Sequence, residues 1–231
     1  MTAHVANVKP NFISVNEHHI TGNNKVLING YTSFSKNRSE KQMGGVSISV
    51  DSINKPFSVK TKVGEKDDEF VVVKNNRFDP PINIISVYGE TESRTPKAEI
   101  YERWMRLEKI IHEIRTKHED IILVGDMNKK VGDDHLGVKG NHPKISVGGH
   151  LVRDMVKSGS MILVNNHEKC VGGPFTRFDP ADPTNPDKMS CLDLVLVTPN
   201  LVKYIEVLEI YIKQRNQMAR VTVKDGVLTT T

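Results

Sequence analysis

The chain has 231 residues, 37% of them hydrophobic and 26% charged, with a formal net charge of +4. That length suits one large domain or two small ones, and the composition excludes a disordered or fibrous chain. No run is long and apolar enough for a membrane span, and the first residues lack the charged-then-apolar layout of a signal peptide.

The two cysteines, Cys170 and Cys191, form neither a disulfide framework nor a Cys-x-x-Cys pair. The expectation is an intracellular protein, with a nuclear location open to it, that is not secreted and does not enter a membrane. The small positive balance permits a polyanionic partner without requiring one.

In chain order, a helix-compatible piece from Thr2 to Val8 leads through Pro10 into an apolar strand, Phe12–Val15, followed by Asn16-Glu17-His18-His19. Strands follow at Val46–Val50, which alternates cleanly, at Phe70–Val73 and at Ile82–Tyr88. From Pro96 to about His118 the residues Ile100, Trp104, Leu107, Ile111 and Ile114 recur at helical spacing, with Thr95 as N-cap and Pro96 at the first helical position. The strand Ile121–Val124 then runs into Gly125-Asp126-Met127-Asn128. A second helix is expected from about Gly149 to Lys157, with Leu151, Met155 and Val156 inward and Gly159 as its stop. Strands at Met161–Val164 and Leu192–Val197 follow, and Asp225-Gly226 marks a hairpin turn opening a last strand. With no repeat, linker or low-complexity tract, residues 1–231 read as one layered domain of sheets and covering helices.

Several strand ends carry reactive side chains. Asp126 and Asn128 lie two apart, so on a strand they would point the same way and converge on one target. A base that deprotonates water beside a neutral donor is what in-line attack on a phosphodiester needs, although Gly-Asp-x-Asn is by itself also an Asx turn. Glu17, Tyr88 and Glu90 follow strands; His18 and His19, being adjacent, face opposite ways and make a poor chelating pair. Asp193 sits among aliphatics, which costs on the order of several kcal/mol unless it is paired, and a histidine or arginine is the natural partner. Asp179, Asp182 and Asp187 lack the glycine of a calcium loop and read as a surface loop.

Taken in order, Glu17, Tyr88, Gly125-Asp126-Met127-Asn128, Phe175-Thr176 and Leu192-Asp193-Leu194-Val195-Leu196-Val197 resemble the endonuclease/exonuclease/phosphatase superfamily. This is the deoxyribonuclease I-like fold, which includes apurinic endonucleases and the nucleases of non-LTR retrotransposons. Val87–Glu92 and Gly172–Pro180 are most similar to nuclease domains encoded by animal transposable elements. The resemblance implies an α+β fold, a four-layer α/β/β/α sandwich of two mostly antiparallel sheets, here incomplete at both ends. It implies that Glu17 holds Mg²⁺ or Mn²⁺, that Asp126 orients or deprotonates water, and that Asn128 contacts the scissile phosphate. Tyr88 would steady that phosphate, Asp193 would hydrogen-bond a catalytic histidine, and Thr176, with Glu90, would support substrate binding.

The implied partner is nucleic acid, DNA in the first reading, and the implied state is a monomer. The family's opening strand ends in an asparagine, and nothing before Thr2 could supply it. The family closes on a Ser/Thr-Asp-His element, whereas the last of the nine histidines here is His167. The expectation is therefore a weak or inactive DNA endonuclease with ladder bonds left open at the missing strands. A phosphatase or an RNA-directed phosphodiesterase on the same scaffold, or a non-catalytic relic or binding module, are the alternatives.

Overall fold

A computed structural model of the chain describes residues 10–22, 24–37, 44–52, 62–63, 69–139, 141–168, 170–172, 175–177, 181–182, 185, 189–213, 216–223 and 226–230. The helix-compatible piece at 2–8, the acids Asp179 and Asp187 and the turn residue Asp225 lie outside them. The strands are β1 Phe12–Asn16, β2 Tyr31–Lys36, β3 Val46–Asp51, β4 Lys62–Val63, β5 Phe70–Asn75, β6 Ile82–Val87, β7 Asp120–Asp126, β8 Ile162–Leu163, β9 Cys170–Gly172, β10 Asp193–Val197, β11 Ile205–Lys213, β12 Asn216–Val223 and β13 Gly226–Thr230. The helices are α1 Lys97–Arg115, α2 Val147–Lys157 and the single turn α3 Pro199–Val202.

These strands form a seven-stranded sheet in the order β2-β3-β1-β13-β12-β11-β9 and a six-stranded sheet in the order β4-β5-β6-β7-β10-β8. Among the described residues only β1/β13, β6/β7 and β9/β11 pair in parallel, so both sheets are mostly antiparallel, as expected. Within its sheet β1 has neighbours on both sides, β3 and β13, so the ladder expected to stay open beside the first strand is filled by the last.

Alternation assigns the layers. Phe12 of β1 and Val46, Ile48 and Val50 of β3 point between the sheets, where they meet Val71, Val73, Ile82, Ile84, Ile122, Val124, Val195 and Val197. The opposite faces of the same strands, Phe70, Val72, Ile85, Ile121, Leu123, Leu194 and Leu196, pack under the stripe Trp104, Leu107, Ile111 and Ile114 of α1 and Val152 and Met155 of α2. Trp104 is a core residue, as its place in the stripe implies. On the outer face of the seven-stranded sheet, Ile13 and Val15 are covered by Val26 and Ile28 of a loop, and no helix covers that face among the described residues. The α+β sandwich is thus the one expected, with a loop in the place of one outer helix.

Three local expectations are corrected. The residue flanking α1 is Pro96, in the extended region, and it makes no side-chain cap bond; Thr95 does not cap the helix. The helix α2 begins two residues early, at Val147, because Ser146 supplies the cap, its hydroxyl accepting from Gly149 N at 3.2 Å. The strand expected over Met161–Val164 stops at Leu163 and becomes a 3₁₀ turn, Val164–Asn166. There the Asn165 amide takes over the ladder, donating to Asp193 O (3.0 Å) and accepting from Val195 N (2.7 Å).

Candidate functional site

The inner-face alternation that builds the core continues past it at one end of the sandwich and there turns polar. After Phe12 come Ser14 and Asn16; after Ile82 and Ile84 come Ser86 and Tyr88; after Ile122 and Val124 comes Asp126; before Val195 and Val197 stands Asp193. Ser14 and Ser86 share a hydroxyl hydrogen bond of 2.5 Å that ties one sheet to the other beneath these groups.

Asp126, last in β7, is the direct cross-strand neighbour of Asp193, first in β10. At this position side chains lie about 5 Å apart. Burial, then the neighbouring Asp193 charge, push the Asp126 carboxyl up to about 7, against the opposing hydrogen bond from Asn128 N; the charge of Glu17 adds to the rise and that of Arg177 opposes it. Burial likewise raises Asp193, against the Thr176 hydroxyl. The partner expected for Asp193 was a histidine or arginine. Among the described residues it makes no salt bridge, and its environment is Thr176 and Asp126. The reason is topological: β7 and β10 are adjacent, which places acid against acid.

Thr176 is 1% exposed, and its hydroxyl accepts from Leu192 N (2.9 Å) and Asp193 N (3.0 Å), fixing the start of β10. Glu17 follows β1 with a φ of 51°, and the Tyr88 hydroxyl donates to its carboxylate, a bond that crosses from the six-stranded to the seven-stranded sheet. Burial and the Glu17 carboxylate drive the Tyr88 hydroxyl well above its ordinary value, so it remains a donor.

Asn128 reaches the site by a turn and not by strand alternation. The strand ends at Asp126, Asn128 adopts a φ of 50°, and its N–H donates to Asp126 Oδ1 at 2.9 Å. Its side-chain amide donates to Gly89 O at 2.8 Å. The Asx turn and the convergence on one point are therefore the same structure. Two close approaches make it possible: a Cβ on Gly125 would lie 2.0 Å from Val87 O, and one on Gly89 would lie 2.0 Å from Met127 O.

Three residues at the site were not singled out from the sequence. Asn16, turned so that its Nδ2 donates to Val87 O (3.3 Å), accepts from Asp126 N at 2.9 Å. A strand-ending asparagine therefore stands at the site, and its one sequence signal is the place directly before Glu17. Lys129 is fully buried and donates to Glu90 O (3.0 Å) and Glu90 Oε1 (2.9 Å), locking the loop after β7 to the loop after β6; beside Lys130 it looks like part of a solvated pair. Arg177 follows Thr176, just ahead of the segment of Asp179, Asp182 and Asp187 read as a surface loop.

A hard divalent cation, which the resemblance implies, finds oxygen donors of the right kind in Glu17, Asp126 and Asp193, none of them in a salt bridge among the described residues. Among those residues, no group of three or more His, Cys, Asp or Glu side chains stands ready to hold a cation unaided. The donor set suits an ion such as Mg²⁺ that keeps several of its waters and takes one or two carboxylates.

The chain matches no protein-family model and no curated protein. Solved structures do match it. The 3'-5' exonuclease NExo from Neisseria meningitidis is 15% identical, with 95% of this chain and 91% of that one covered at a TM-score of 0.69. The endonuclease domain of TRAS1, a telomere-specific non-LTR retrotransposon, is 15% identical, with 96% and 89% covered at 0.65. The AP endonuclease LMAP from Leishmania major is 12% identical, with 96% and 81% covered at 0.72. These structures are members of the endonuclease/exonuclease/phosphatase superfamily, and the chain has their fold.

Proposed function

We propose that the chain is a metal-dependent phosphodiester hydrolase that acts on nucleic acid, in the first place a DNA endonuclease of a transposable element. The observation that carries this reading is the cross-strand pairing of the half-buried Asp126 and Asp193, where burial and then the Asp193 charge push the Asp126 carboxyl up to about 7. A general base is most effective when its pKa lies near the working pH. Asp126 takes the proton of the attacking water, and Asp193, fixed by Thr176, keeps Asp126 basic. One N–H of the Asn128 amide is committed to Gly89 O; the other donates to a phosphoryl oxygen. Glu17, oriented by Tyr88, holds Mg²⁺ or Mn²⁺, which when bound supplies positive charge for the pentavalent transition state. Turnover is low, because among the described residues no histidine is bonded to either aspartate.

Three features support this reading: the shared fold, the nucleases among the matching structures, and one matching structure, a 3' phosphatase from Neisseria bound to a product DNA hairpin. Nicking of supercoiled plasmid in Mg²⁺ tests it. Asp126→Asn is expected to lower the rate by at least about a hundredfold. Nicking that survives either this substitution or EDTA overturns the assignment. A panel of abasic DNA, poly(A) and phosphoinositides separates the DNA reading from the RNA-directed and phosphatase alternatives, and silence on every substrate favours the binding module.

A further inference from the structure

Four cations among the described residues are paired with an acid: Lys129 with Glu90, Lys74 with Glu119, Arg103 with Glu99 and Arg153 with Asp134. Three cations beside the site make no salt bridge among the described residues: Lys130, which is half-buried, and Lys144 and Arg177, which are exposed.

The backbone brings them together. Lys130 N donates to Ser146 Oγ (3.1 Å), Ser146 N donates to Lys130 O (2.9 Å), and Val131 bridges Ile145 in antiparallel fashion. Lys130 thus sits across from Ser146, with Lys144 two residues before Ser146 in the same short segment. From the other side, Arg177 is held by paired bonds to Ser190, 2.8 Å from Arg177 N to Ser190 O and 2.9 Å in return. Its neighbour Thr176 is bonded to the start of β10, which anchors the Arg177 backbone beside that strand.

Electrostatics agrees with this placement. Burial, then the charges of Lys144 and Arg177, press the Lys130 ammonium below its ordinary value, and the Arg177 charge reaches Asp126. Free of ligand, Lys144 and Arg177 repel Lys130; an anion beside Lys130 relieves that repulsion. The water-activating end of the site is negative, so a polyanionic substrate needs positive charge supplied next to it, on the rim.

We propose that Lys130, Lys144 and Arg177 form a phosphate subsite that seats a phosphodiester neighbouring the one cleaved on a nucleic-acid strand. The proposal rests on the phosphodiesterase reading and adds to it which phosphates are held, and by what.

The test is binding of a fluorescein-labelled DNA hairpin, by anisotropy in EDTA, as a function of salt. Each of Lys130→Gln, Lys144→Gln and Arg177→Gln is expected to weaken binding several-fold and to reduce the slope of log affinity against log salt by about 0.7–0.9. Arg177→Lys is expected to keep the slope, and Lys109→Gln, on the exposed face of α1, to leave affinity unchanged. The Tm of the triple variant should match or exceed that of the wild type, because repulsion is removed; that readout separates lost contacts from lost folding. Hairpins with and without a terminal phosphate should give equal slopes, and dependence on the terminal group would overturn the neighbouring-diester assignment. A slope unchanged in the triple variant, or no binding by the wild type, overturns the subsite. If the slopes fall as expected but plasmid is never nicked, the subsite stands and the catalytic reading falls; nicking with unchanged slopes removes the subsite alone.

Discussion

Asp126 is held in a state that costs the free protein stability. A carboxyl whose folded pKa is raised favours the folded state below the unfolded carboxylate value, and that contribution is lost as pH rises through about 7. Asp126→Asn keeps the shape and removes the charge. It should therefore raise the Tm at pH 8 in EDTA by on the order of a few °C, and do much less at pH 5. Thermal unfolding at the two pH values checks this, and equal shifts at both would refute it. The sequence pointed to Asp126 and Asp193 through their aliphatic surroundings, but it could not say that the two face each other. A buried acid advertises its need of a partner, not the identity of that partner. Lys129 was illegible for the opposite reason: its charge signals solvent, and only the packing of its side chain on Gly148 and its bonds to Glu90 reveal a buried ammonium.

At the scale of elements, the loops after β6 and β7 behave as one unit. Gly89 N donates to Asp126 O (2.8 Å), Asn128 donates to Gly89 O, and Lys129 bonds Glu90 from within. Lys129→Ala leaves the Glu90 carboxylate partly buried and unpaired, which should cost about 3–5 kcal/mol. Lys129→Met with Glu90→Gln should recover much of that loss, and denaturant unfolding of the two variants measures the difference. A double variant no more stable than Lys129→Ala would show that the ion pair is not what joins the loops. The long helix and the aliphatic strands were legible because period 3.6 and period 2 write themselves into burial. The strands β2, β11 and β12 were not, because polar residues interrupt their alternation; β9 is only three residues long. The asparagine that replaces the end of β8 acts through a side chain, which periodicity does not record.

Across the whole molecule, the site is divided. Glu17 and Asn16 hang from the seven-stranded sheet, while Tyr88, Asp126, Asn128 and Asp193 hang from the six-stranded one. Beneath them lies the inter-sheet core, in which Ile84 is 1% exposed. Ile84→Ala should cost about 2–5 kcal/mol in denaturant unfolding. It should also lower plasmid nicking well below the Tm, although Ile84 makes no contact with substrate; full activity in the loosened protein would disconnect core from site. The split has a consequence for ion choice. Oxygen ligands stand about 2.1 Å from Mg²⁺ and about 2.4 Å from Ca²⁺, so, on the proposed reading, a cation held by Glu17 opposite a water on Asp126 would be sensitive to ionic radius. The gap between Glu17 and Asp126 is set by the girth of the valines and isoleucines between the sheets. Discrimination among cations would then be inherited from hydrocarbon volume in the core, at positions that never meet an ion.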